Sequence, residues 1–181
     1  MNKIVAREKY LKIRKDIKDR DSKDSIIFDK LINNKKIKKA KIVAIYSPFN
    51  GEYDTTKLAR YLLNENKIIC YPRVIDEDSM EFIKVNSIDE VNTIGFYKGI
   101  LEPKEDCNLV IKKEDIDVMI VPCVCFDTNN YRVGYGKGYY DKYLFNVDSI
   151  YKIGVSYLDL KIEEFLEVDS FDVKLDTIVT E

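Results

Sequence analysis

The chain contains no histidine. That absence excludes Ser-His-Asp and Cys-His nucleophile systems, histidine-ligated zinc and proton transfer by imidazole. Chemistry near neutral pH therefore falls to carboxylates, Lys, Arg, Tyr, Cys, backbone amides or a bound group. Glycine (7) and proline (4) are scarce while apolar residues make up 45%, which excludes a disordered or collagen-like chain. The four cysteines, Cys70, Cys107, Cys123 and Cys125, never form CxxC. Cys123-Val-Cys125 sits in an apolar run, so buried strand thiols fit better than a zinc or redox site. No apolar stretch reaches the ~18 residues of a membrane span, and no signal-type core opens the chain. With free thiols, this predicts a cytoplasmic protein. Charge is balanced, with 30 basic and 32 acidic residues for a net −2, so no bulk positive field recruits nucleic acid or an anionic membrane.

At 181 residues the chain is read as one domain spanning 1–181, long enough to bury about 70% of its unfolded surface. Ile4, Leu11 and Ile17 recur at roughly helical spacing in a helix over 3–19, and Asp21 or Ser22 caps a second helix to about Asn34, with Ile26, Ile27, Lys30 and Leu31 on one side. The periodicity then changes. Ile42–Tyr46, Ile68–Tyr71 and Val118–Val121 are continuous apolar runs, each followed closely by proline (Pro48, Pro72, Pro122). Unbroken runs indicate strands buried on both faces of a parallel sheet. Each proline is read as a point where the chain leaves the sheet, and ligands of open α/β sheets bind at those carboxyl ends. A helix over Thr55–Asn64 joins the first two runs as a β-α-β unit. Met80–Val85 and Ile150–Ser156 read as further strands, and Phe171–Asp176 alternates like a half-exposed strand or its approach.

Three of the glycines fall within five residues, Gly134-Tyr135-Gly136-Lys137-Gly138, preceded by Arg132 and followed by a short helix from Tyr139. Backbone amides at such a turn, joined by Arg132 and Lys137, favour a phosphate. The spacing is neither Walker A nor GxGxxG, and a plain tight turn is the alternative. Asp141, in the first helical turn, either complements the dipole or holds Mg²⁺ beside phosphate, with Asp172 or Asp176 as second carboxylate. Lys3, Arg7 and Arg14 share one helical side, which is either a solvated basic face or a face closing over a polyanion. Phe49, Glu52 and Asp54 follow the first strand. They offer an aromatic surface and carboxylates to a flat heterocycle, with Asp54 or Thr55 as helix cap in the alternative.

Val121-Pro122 through Phe126-Asp127, followed by Arg132-Val133-Gly134-Tyr135-Gly136-Lys137-Gly138-Tyr139-Tyr140-Asp141, resembles the signature of the 5-formyltetrahydrofolate cyclo-ligase (methenyltetrahydrofolate synthetase) family. Ile153-Gly154-Val155, Phe171–Asp176, Thr180-Glu181 and, upstream, Lys3-x-x-x-Arg7, Glu52–Thr55, Tyr71-Pro72 and Leu101-Glu102-Pro103 continue the match in order. The resemblance implies a three-layer α/β fold, an open and mostly parallel Rossmann-like sheet with helices on both faces. It implies ATP- and Mg²⁺-dependent conversion of 5-formyltetrahydrofolate to 5,10-methenyltetrahydrofolate, with ADP and phosphate released through a phosphorylated formyl intermediate. By the same resemblance, ATP is bound by Lys3, Arg7, Arg132, Val133, Gly134, Tyr135, Gly136, Lys137, Gly138, Tyr139 and Tyr140. Arg132 and Lys137 are the catalytic cations. Asp141 and Asp172 hold the metal. Phe49, Glu52, Asp54 and the loop from Tyr135 to Tyr139 face the folate. A monomer acting on small molecules, with neither nucleic acid nor membrane as partner, is the expectation. A basic aromatic platform for nucleic acid (Arg132, Lys137, Lys142 and the nearby tyrosines) and an inactive folate- or nucleotide-binding regulator are the competing readings.

Overall fold

Asn2 opens the first helix by accepting a hydrogen bond from the Ile4 amide, a side-chain cap for an otherwise orphaned donor. The structure, a computed structural model, describes residues 1–97 and 99–181. In chain order its main elements are α1 (Lys3–Asp16), α2 (Arg20–Asn33), α3 (Lys35–Lys39), β1 (Ile42–Ala44), α4 (Thr56–Asn64), β2 (Ile68–Val74), β3 (Met80–Val85), β4 (Val91–Ile94), β5 (Leu101–Pro103), β6 (Val110–Ile111), β7 (Val118–Pro122), β8 (Cys125–Asp127), β9 (Arg132–Val133), α5 (Tyr139–Leu144), β10 (Tyr151–Val155), β11 (Lys161–Ile162) and β12 (Thr177–Val179).

Seven strands form the central sheet in the order β12-β10-β7-β1-β2-β3-β6. From β12 to β2 every pairing is parallel, and β3 and β6 add antiparallel at one end. The sheet is therefore mostly parallel, as expected from its unbroken apolar runs. Alternate residues of each strand enter two cores. Val43, Ile45, Ile69, Val118, Ile120 and Ile153 face the layer that includes Ala6, Tyr10, Ile27, Leu31, Leu58 and Leu62 of α1, α2 and α4. Ala44, Cys70, Phe82, Met119 and Val121 face the other way, onto Leu144 of α5, Ile116, Ile150 and Leu175. This second layer is thin, because α5 has only six residues. Small sheets, β11-β8-β9 and the β4–β5 hairpin, flank the main one.

Three expectations need correction, and one that offered two alternatives is decided. The first helix stops at Asp16, not residue 19: Ile17 turns extended at ψ 126° and Asp19 takes a left-handed φ of 53°. The inward residues of α1 are Ala6, Tyr10 and Arg14, while Ile4 points out. Pro72 does not end its strand but lies inside β2, opposite Phe82. Pairing of β1 with β2 stops at Cys70, so beyond it β2 has β3 on one side and no β1 amide ladder to break on the other. Finally, Phe171–Asp176 is a turn and approach, and the strand itself is Thr177–Val179.

Candidate active site

The loops leaving the carboxyl ends of the neighbouring strands β1 and β7 meet beside α1, where ligands of open α/β sheets bind. Arg14 is the hinge of this meeting. Its Nη2 donates to the Cys123 carbonyl at 2.6 Å and its Nη1 to the Tyr135 hydroxyl at 2.9 Å. The same Nη1 stands 4.0 Å from Glu52 Oε1. The side chains of Arg14 and Glu52 are only 2% and 5% exposed, so this face of α1 is not a solvated basic surface. Arg20 closes the same corner by donating to the Gly51 and Arg14 carbonyls.

The glycine loop rests on Arg7. Arg7 Nε donates to the Gly134 carbonyl at 2.7 Å. A Cβ at Gly136 would lie 3.1 Å from the Arg7 guanidinium carbon, and Gly136 has φ +97°, so both space and backbone call for glycine there. Gly138, left-handed at φ 73°, leads into α5. Since α5 is short, the field that would attract an anion comes mainly from side chains. Arg7 lies under the loop. Lys137 is exposed, its ammonium 5.3 Å from the Tyr97 ring. Tyr139 shares a 3.0 Å hydrogen bond with the Tyr97 hydroxyl and donates to the Asp76 carbonyl, tying the loop to the hairpins beside it. Val133 is buried in β9, and Tyr140 packs near Arg132, whose guanidinium carbon is 5.9 Å from the ring.

Arg132 and Asp141 pair through both prongs, at 3.1 and 3.3 Å. Asp141 also accepts the Val173 amide at 3.0 Å, which brings its carboxylate to the backbone beside Asp172. Asp172 accepts from Lys3 Nζ and from the Asp169 amide, both at 2.6 Å. Burial alone would lower the Lys3 pKa, but the bonds to Asp169 and Asp172 outweigh it and raise it. Asp176 turns elsewhere and accepts the Lys152 amide. Among the described residues no three carboxylate or thiol groups gather as a metal cage. The donor set nevertheless suits magnesium, a hard cation that takes one or two carboxylates and fills its shell with water and phosphate oxygens. Asp141 and Asp172 are the side chains that would hold it.

On the opposite wall, Phe49 meets the Tyr135 ring edge-on at 5.5 Å between centroids. Glu52 accepts the Phe49 amide at 2.9 Å. Burial pushes the Glu52 carboxyl up to about 7, with Arg14 and the Phe49 amide pulling the other way. Asp54 is exposed and accepts the Thr56 amide at the start of α4, whereas Thr55 spends its hydroxyl on the Tyr46 carbonyl. The N-cap position itself is Thr55, and Asp54, one residue before it, bonds the first helical amide.

Two participants are hidden in the sequence. Tyr97 reads as an ordinary hairpin residue, and only the fold brings it to Lys137 and Tyr139. Asp127 is buried beneath the site, where it accepts the Asn129, Tyr131 and Leu166 amides and shapes the turn before Arg132. Within that turn Asn130 takes φ 65°, a conformation asparagine tolerates better than most residues.

The model of the 5-formyltetrahydrofolate cyclo-ligase family matches residues 2–181. A 5-formyltetrahydrofolate cyclo-ligase of Mycoplasma genitalium is 33% identical over 141 residues, covering 77% of this chain and 72% of that protein. The protein of that name from Escherichia coli K12 is 31% identical over 142 residues, 78% of each chain. Among solved structures, the 5,10-methenyltetrahydrofolate synthetase of Aquifex aeolicus superposes with a TM-score of 0.82 at 32% identity, over 98% of this chain and 88% of that one. The synthetase of Mycoplasma pneumoniae gives 0.78 at 27% identity, over 99% of both. With its whole signature folded around one corner of the sheet, the chain belongs to the 5-formyltetrahydrofolate cyclo-ligase family.

Proposed function

We propose that this protein converts 5-formyltetrahydrofolate to 5,10-methenyltetrahydrofolate at the expense of ATP, which becomes ADP and phosphate, with Mg²⁺ required. The formyl oxygen attacks the γ-phosphorus and displaces ADP, giving a phosphorylated formyl group. N10 then attacks that carbon and loses its proton, the ring closes, and phosphate leaves. Such a reaction asks for positioning and charge neutralisation more than proton transfer, so the lack of histidine is no obstacle. Lys137, exposed on the loop, meets the transferred phosphoryl group. Arg132 adds positive field from behind, and Arg7 and Lys3 hold the nucleotide. A bound Mg²⁺, on Asp141 and Asp172, supplies Lewis-acid neutralisation of the phosphate oxygens. The folate ring lies against Phe49 and Tyr135, with Glu52 accepting its N–H groups. A monomeric, cytoplasmic, one-carbon-folate enzyme completes the reading.

The observation that carries it is the glycine loop seated on Arg7 with Lys137 exposed, facing the Phe49–Glu52 wall across Tyr135. One assay tests it. The protein is mixed with 5-formyltetrahydrofolate and Mg-ATP, and the near-ultraviolet absorbance of the methenyl product is followed. Turnover that stops when either ATP or Mg²⁺ is left out is the expected result. Binding of folate or nucleotide without turnover would mean a regulator. Salt-sensitive oligonucleotide binding without turnover would mean a nucleic-acid module.

A further inference from the structure

Arg14 touches three separately built parts of the site. It sits on α1, yet its fork reaches the Cys123 carbonyl after β7, the Tyr135 hydroxyl of the glycine loop and the neighbourhood of Glu52 after β1. Its aliphatic stem packs under Gly51, with Cδ 3.6 Å from where a Cβ would be, and Gly51 holds φ +74°. Arg20 fixes the Arg14 main chain through its carbonyl. Arg14 Nε is buried with no hydrogen-bond partner among the described residues. Burying a guanidinium with an unpaired donor is costly, so a merely structural link between these loops would be better made by an apolar side chain.

We propose that Arg14 is a positioning residue for the reaction: it holds the Glu52 carboxyl group and the Tyr135 ring in one fixed arrangement for the folate ring, and its charge opposes the neutralisation of that carboxyl. The proposal rests on the reading under Proposed function and deepens it. The groups that act on Glu52 come from every side. Tyr46 follows β1, Cys123 follows β7, and Tyr135 and Tyr140 come from the glycine loop and α5. None of these is a cation, and Arg14 supplies the positive charge that opposes burial. Without it, the Phe49 amide is left to oppose desolvation, and the neutral acid prevails further into the physiological range. A neutral carboxyl has one oxygen turned donor and is a poorer acceptor for ring N–H groups.

The test reads the carboxyl first and the reaction second. Carbon-13 NMR of the ligand-free protein, labelled in glutamate, follows the Glu52 titration in wild type and in Arg14→Met. The expected result is an upward move of about one pH unit or more in the variant. The acidic limb of kcat/KM for 5-formyltetrahydrofolate should move with it, and KM for folate should rise about tenfold at pH 7 while kcat changes less. Arg14→Lys keeps the charge and loses the fork. It should restore the titration and the limb but not KM. An unmoved Glu52 titration in a folded Arg14→Met protein overturns the proposal. If that variant does not fold, Arg14→Lys decides alone, and a wild-type KM for folate overturns the positioning role. The ligand-free titration is independent of turnover, so a wild-type protein with no ligase activity would strike the functional reading without touching the Arg14–Glu52 coupling.

Discussion

Arg132 and Asp141 stand at the two ends of the glycine loop and close it with a two-pronged ion pair, Nη1 to Oδ1 at 3.1 Å and Nη2 to Oδ2 at 3.3 Å. The arginine side chain is 3% exposed and the aspartate 28%. The loop's cationic and carboxylate elements are therefore held together in the ligand-free protein.

Asp141→Asn separates the two roles of that carboxylate. The Val173 amide keeps an acceptor, but Arg132 loses its counter-charge. A fully buried pair broken this way costs about 3–5 kcal/mol, and the partial exposure of Asp141 reduces this to about 1–3 kcal/mol. Urea unfolding should show that loss without metal present. In the absorbance assay, half-maximal turnover should need several-fold more Mg²⁺. An unaltered Mg²⁺ titration would remove Asp141 from the metal site.

Lys137→Ala should leave folding nearly untouched. The side chain is exposed, and its contact with the Tyr97 ring is worth only about 0.5–1 kcal/mol. Turnover should fall at least about tenfold, up to the 10²–10³ typical of a lost transition-state donor. A denaturation midpoint close to wild type with unchanged kcat would take Lys137 out of the mechanism.

Glu52 should leave a signature in the pH dependence of stability. Its carboxyl is raised from 4.5 to about 7 in the folded state, with burial as the main cause. Between those values the folded protein binds more protons than the unfolded chain, so the contribution is fully present below about pH 4.5 and is lost as pH rises through 7. A rise of this size corresponds to about 3 kcal/mol. Glu52→Gln should flatten the slope of unfolding free energy between pH 5 and 7 relative to wild type (a slope other acids share, which the difference cancels). Parallel curves for the two proteins would mean that Glu52 is not raised.

The strands were legible because burial writes itself into composition. Met80–Val85 was readable to the residue, and the apolar runs of β1 and β7 announced a sheet covered on both faces. Pro72 misled because a proline forbids only the hydrogen bond its own position needs, and the register that decides this is tertiary. Phe171–Asp176 left strand and strand approach both open for a physical reason: Leu175 is buried and Asp176 is bonded to Lys152, which gives strand-like alternation in the approach to Thr177–Val179. In the site, the spacing of the glycines marked a tight turn, and a phosphate role was suggested only by the basic residues and helix beside it. Arg14 was not legible, since a basic helix side looks the same whether water or Glu52 lies opposite. Which charge is taken inside depends on partners from β7 and the glycine loop, more than 100 positions away.

Lys3 and Asp172 are 169 positions apart. The first turn of α1 therefore waits for the segment between β11 and β12 before its ammonium is neutralised. Closing so long a span is entropically slow, and it comes after local helices and neighbouring strands have formed. A refolding chain should regain most of its β-sheet signal before it regains the Lys3–Asp172 corner. On the ribosome, that corner stays unfinished until the segment carrying Asp172 has been made.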